Sequence, residues 1–165
     1  MSPLTHSKNS TILPLLIGLV LSAMTASASE DLPFRLGDEG TITFTSPSTA
    51  TTAGTGNATH LGRITSDGNL TIVGEASCID NEVGFSAEMQ DTFTAANGDI
   101  VTTAITMQLC PIAPGIYHGV GTYVVTGGTG RFANATGSGV FDGTGNFNTG
   151  TIICALNGTI SIHHN

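Results

Sequence analysis

Residues 83–109 read VGFSAEMQDTFTAANGDIVTTAITMQL, and their alternation decides the fold. Val83, Phe85, Ala87, Met89, Asp91 and Phe93 share one phase of a period-two repeat. Ser86, Glu88, Gln90, Thr92 and Thr94 share the other. Successive side chains of a strand point to opposite faces, so the first set is expected to face a core and the second to face water. The same logic puts Val101, Ile105, Met107 and Leu109 inside on the following run. Between the two runs stands Asn97-Gly98, a pair suited to the positive φ angles of a tight hairpin turn. Residues 83–94 and 99–109 are therefore expected to be antiparallel neighbours.

The same grammar extends outward in both directions. Residues 41–46 form the first clear strand, with Ile42 and Phe44 on one side and Thr41, Thr43 and Thr45 on the other. Residues 47–57 are small, polar and glycine-bearing, and read as a mobile loop. Residues 60–65 and 69–77 read as strands joined by a tight turn at Ser66-Asp67-Gly68. Downstream, strands are expected over 116–126, after a link containing Pro111 and Pro114, then over 137–145 and 149–164. Asn157-Gly158 interrupts the last of these, as a bulge or another hairpin. No stretch in this region favours a long helix, because glycine breaks helices and the abundant threonine favours strands. About eight strands on short links must be antiparallel to their neighbours. They predict an all-β, up-and-down, closed antiparallel barrel, whose interior side chains can fill or which can hold one small ligand.

The beginning of the chain reads differently. Lys8 lies in a polar start, residues 12–24 are almost wholly apolar (ILPLLIGLVLSAM), and Ala26-Ser27-Ala28 fits a cleavage site. This is the pattern of a signal peptide over residues 1–28, and the apolar run is short for a membrane span. Residues 29–165 are then a single β-barrel domain, secreted or periplasmic. Without Lys8, three cations face 12 acids, a net charge of about −9 with His neutral. Such a charge repels phosphate backbones and anionic bilayers, so neither nucleic acid nor a membrane is an expected partner. His60, His118, His163 and His164 do not suggest a metal site, since His163 and His164 would point to opposite faces of a strand.

Three cysteines, Cys78, Cys110 and Cys154, in an exported chain suggest one disulfide and one thiol. Cys78 and Cys110 each follow a strand end, with one strand running away and the next returning between them. Both then lie at the same end of the barrel. Cys78–Cys110 is the favoured pair, with Cys154 a buried free thiol, and the other pairings stay open.

Residues 121–139 read GTYVVTGGTGRFANATGSG. A strand enters, Gly127-Gly128-Thr129-Gly130 turns sharply, and residues 131–135 can form one helical turn with Phe132 placed to plug the barrel end. This segment resembles the corresponding part of the allene oxide cyclase-like and dirigent-like β-barrels, above all their small exported bacterial members. The resemblance implies a calycin-like eight-stranded barrel with an apolar cavity. It also implies that any enzymatic activity would be a cofactor-independent cyclisation or isomerisation that works by shaping a substrate, with no metal or organic cofactor. Related barrels dimerise or trimerise, so a homo-oligomer is compatible with it.

Several residues could carry chemistry. Asp91 shares the apolar phase of its strand, where burial would raise its pKa and suit it to acid–base work. Tyr117 and Tyr123 share a face with Gly119 and Gly121 between them, leaving a slot in which phenol hydroxyls could orient a ligand. Met89 and Met107 line the expected interior, and Arg63 and Arg131 could hold a carboxylate. The leading expectation is a barrel that binds a small apolar or amphipathic molecule through Arg63, Met89, Met107, Tyr117 and Tyr123. The second is a cyclase or isomerase using Asp91, Tyr117 and Tyr123. The third is a structural or surface protein with a filled core, and an interior void no larger than a few waters would eliminate the other two.

Overall fold

The computed structural model describes residues 31–79 and 82–162, and the expected signal peptide, His163 and His164 lie outside them. Eight strands follow one another: β1 (Asp31–Phe44), β2 (Thr49–Ala58), β3 (Gly62–Ser77), β4 (Val83–Ala95), β5 (Ile100–Ala113), β6 (Ile116–Gly128), β7 (Thr136–Asn146) and β8 (Thr151–Ser161). Each pairs antiparallel with the next. The last returns to the first, from Asp31↔Ser161 to Thr41↔Thr151, and closes the barrel. The expected eight-stranded, up-and-down, all-β barrel is therefore the fold.

Three local expectations are corrected: β8 runs through Asn157-Gly158 without interruption, paired on both sides, and the other two cancel in the strand count. Residues 47–57 are not a loop: all but the first two belong to β2. Ser66-Asp67-Gly68 is not a turn: β3 runs straight through it, paired on both sides. The Asn97-Gly98 hairpin stands as expected, with Gly98 at φ 87° and its N–H bonded to the Ala95 carbonyl. Val83 has the right phase for the core yet is exposed, because it lies at the rim where β4 begins.

The two ends of the barrel are built differently. At one end a single 3-10 turn, Gly130–Phe132, crosses the opening and drives Phe132 into the interior, where it is fully buried. Phe34, Phe93, Val101, Tyr123 and Ile160 fill the space beneath it. Arg131 braces this plug from outside. Its guanidinium donates to the His60 carbonyl, approaches Asp99 at 3.7 Å and lies over the Phe132 ring. Three loops are thereby tied to one another.

The opposite end carries the disulfide and an aromatic rim. Cys78 and Cys110 are bonded, with Cα atoms 5.7 Å apart, and Cys154 is the free thiol. Phe147, in the β7–β8 link, stacks on Tyr117 at 4.8 Å and meets Phe44 edge-on at 4.9 Å. Phe85 leans on Tyr117 from the next wall.

The disulfide closes a loop with a sequence separation of 32 residues. On chain-entropy grounds, such a crosslink contributes about 3.5 kcal/mol by restricting the unfolded chain. Replacing Cys78 and Cys110 together by Ser is expected to lower the unfolding free energy by roughly that amount in urea titration, with the circular-dichroism spectrum of the folded state unchanged.

Candidate functional site

Between the aromatic rim and the plug, the barrel wall changes character. Inward positions near the rim are apolar: Leu70 on β3, Met89 on β4, Met107 and Leu109 on β5, Phe141 on β7 and Ile152 on β8. They enclose a narrow void with a volume of about 40 Å³, which also touches Phe147 at the rim and Thr52 and Cys154 deeper in. A water needs roughly 10–15 Å³ by this measure, so the void holds about three. Glycines at 119, 143 and 145 line it on the β6–β7 side, where side chains would otherwise fill it.

One inward position beyond Met89 on β4 stands Asp91, and the wall becomes a belt of polar groups. Asp91 is 8 % exposed. It faces Gly68 across β3 and Thr103 across β5. Gly68 is required there, since a Cβ on it would collide with both Asp91 Oδ1 and Thr52 Oγ1. On the other side of the lumen, Asp38 of β1 pairs with Cys154 of β8 and accepts a hydrogen bond of 2.6 Å from Ser66 Oγ. The belt thus draws Asp38, Thr52, Ser66, Asp91, Thr103 and Cys154 from six strands into one zone.

The electrostatics follow from burial. Loss of water pushes Asp91 up to about 7, and the neighbouring Asp38 carboxylate adds to the rise. Asp38 is raised by burial too, with its bond from Ser66 pulling the other way. Burial, then the two carboxylates, raises the Cys154 thiol, so it stays protonated and unreactive. Among the described residues nothing donates to the Asp91 carboxylate, and Thr103 Oγ1, buried beside it, has no partner. A carboxyl that is half-protonated near neutrality can both donate and accept, which suits it to hold a ligand's polar group or to pass a proton.

The expected site residues divide. Met89 and Met107 line the void, and Asp91 stands in the belt one inward position beyond Met89. Tyr117 and Tyr123 do share the inward face, but at different depths. Tyr117 belongs to the rim, whereas Tyr123 packs against Phe34 at the plug end with its hydroxyl buried and unpartnered. Arg63 lies on the exposed phase of β3, outside the barrel beside Asn57, and Arg131 is engaged at the plug. Reading the sequence did not single out Asp38, Ser66, Thr52 or Thr103. The usable signal was alternation: Asp38 shares the phase of Phe34, Leu36 and Ile42.

No protein-family model and no curated protein matches the chain. Among solved structures, it is similar to a pterocarpan synthase dirigent protein, with 14 % identity and a TM-score of 0.44 over 94 % of this chain and 100 % of that one. That overlap is too loose to carry function from one chain to the other.

Two outcomes test the electrostatics. Between about pH 4 and 7 the folded protein keeps a proton on Asp91 that the unfolded chain has released. Stability therefore falls as pH rises through this window and levels off above 7. From about pH 5 to 8 the wild type is expected to lose roughly 2–3 kcal/mol more than Asp91→Asn does, read by urea unfolding at each pH. Tyr123→Phe removes a buried hydroxyl with no partner. It is expected to raise stability by about 1 kcal/mol, seen as a higher melting temperature.

Proposed function

We propose that the barrel binds a small molecule with an apolar body and one polar group. The body lies among Leu70, Met89, Met107 and Leu109, and the polar group meets Asp91 at the belt. The observation that carries this reading is a buried carboxyl, one inward position beyond the Met89 that lines the apolar void, to which no side chain of the described residues donates. Burying such a carboxyl is costly, and a core built only for stability gains more from apolar side chains of the same volume. Perturbed acids beside a cleft mark functional sites more often than chance.

The size of the void constrains what can be held. At rest the void is no larger than the few waters expected of a filled core, so this reading requires that side chains move: anything larger than about three waters must displace them. The void is lined by those able to move, with unbranched Met89 and Met107 in its wall and Phe147 in a link at its mouth. Access is through the aromatic rim, since Phe132 seals the other end. The Cys78–Cys110 bond suits an oxidising compartment, which supports the reading of an exported protein.

A second reading uses the same residues for catalysis. Asp91, poised near neutrality, could move a proton on a bound substrate, as in a cofactor-free isomerase or cyclase. Turnover that Asp91→Asn abolishes without lowering the melting temperature would favour it.

Native mass spectrometry of the protein from its own host is expected to show an added mass that acid denaturation releases. Gly119→Ala places a methyl against Leu109, Phe141 and Met107 and takes up much of the void. It is expected to lower the occupancy several-fold at little cost in stability. A bare protein mass, together with a melting temperature that no small apolar compound raises, would leave the filled-core structural reading instead.

A further inference from the structure

We infer that the polar group this site takes is a protonated amine: an ammonium on a short apolar chain, seated between Asp38 and Asp91 with its chain among Met89 and Met107. This rests on the interior-binding reading above and names its ligand class.

No wall of the lumen carries a countercharge among the described residues. Facing the lumen are Asp38 from β1, Thr52 from β2, Ser66 from β3, Asp91 from β4, Thr103 from β5, Tyr123 from β6 and Cys154 from β8, while β7 offers only glycines and Phe141. Arg35, Arg63 and Arg131 all occupy exposed positions, and His60 and His118 bond on the outside to the Pro33 carbonyl and Asp142. The interior is therefore acidic and rich in acceptors. Independently of the two carboxyls, Thr103 Oγ1 is buried in register with Asp91 and lacks a partner. It is a further acceptor for a donor that the protein does not provide.

The chemistry of the head group follows. A carboxylate would bring a further negative charge beside two acids. A neutral hydroxyl would donate one hydrogen bond to Asp91 and bring no charge to offset the two acids, with Asp38 keeping only its bond from Ser66. An ammonium brings three donors and a positive charge, enough for both carboxyls and one hydroxyl. It also favours ionised Asp91, so binding releases a proton when the pH lies at or below 7, and affinity climbs with pH until Asp91 is ionised in the free protein.

Methionine methyl resonances offer a direct readout, because Met89 and Met107 line the void. With methyl-labelled methionine, n-hexylamine, 1-hexanol and hexanoate are titrated separately at about pH 8 and physiological salt. Hexylamine is expected to shift both interior methyl signals and to bind at least about tenfold tighter than hexanol. Hexanoate is expected to leave them in place. The amine's advantage should shrink about tenfold at pH 5 and vanish in Asp91→Asn. Should that variant not fold, the wild-type pH series carries the same test. Hexanol or hexanoate binding as tightly as the amine, or an amine preference indifferent to pH and to Asp91→Asn, overturns the ammonium assignment while interior binding stands. If none of the three moves either methyl, interior binding fails and the assignment fails with it.

Discussion

Closure of the sheet is the constraint on which everything else depends. Once β8 pairs with β1 along eleven residue pairs, from Asp31↔Ser161 to Thr41↔Thr151, no strand edge is left free. Period-two alternation then acquires an absolute inside. Asp38 and Asp91 come from strands far apart in the chain, and only the cylinder brings them to a common lumen. In an open sheet either carboxyl could turn to water. Here both are held where water is scarce, and that is what raises their proton affinity.

The interior is graded along its axis, and the grading has a physical logic. The plug end is sealed by an aromatic side chain on a short turn and braced by Arg131. The rim end is held by a covalent bond between β5 and the chain just after β3, with aromatic rings around the opening. A sealed, braced end and an adaptable end give the barrel a direction. Anything held inside has one way in and meets apolar walls before acids. Glycines on β6 and β7 keep the near part of this path from being filled, whereas on β3 the glycine at 68 makes room for the Asp91 carboxyl itself.

The polar belt also explains which parts of the fold were legible in the sequence. The 83–109 stretch announced itself because its inward residues are large and apolar. β2 did not, since its inward residues are Ala50, Thr52, Gly54, Gly56 and Ala58. That small, polar face looks like a loop until one sees that it lies beside Asp38 and Ser66, where a Cβ on Gly54 would crowd both. Asp67-Gly68 carried every mark of a turn for the same reason: Gly68 serves a neighbouring carboxyl, and no change of direction. Both misreadings thus fall on the one region where the lumen departs from an ordinary core. Depth was the other thing that alternation could not supply. It placed Tyr117 and Tyr123 on the correct face, but their separation along β6 puts one at the rim and the other at the plug. It gave Val83 the right phase while the rim left it in solvent.

What remains is why a chain would keep such a belt. A filled β-barrel of this size needs no buried acids. Asp91 buried and Asp38 half-buried in one zone, without a cation among the described residues, work against the folded state at neutral pH, because each must either shed its charge or bear the other's field. Ser66 offsets part of this for Asp38 and nothing does so for Asp91. Nor does local necessity account for it, since Asp91 sits in mid-strand, capping nothing and turning nothing. A destabilising group with no structural duty points to a role in what the barrel meets, and the lack of an internal countercharge says what kind of group would relieve it. The void beside it is small, and its wall holds the two most adaptable side chains of the core, Met89 and Met107. The site is thus strained electrostatically and compliant sterically, and binding a cation with an apolar tail would relax the first while using the second.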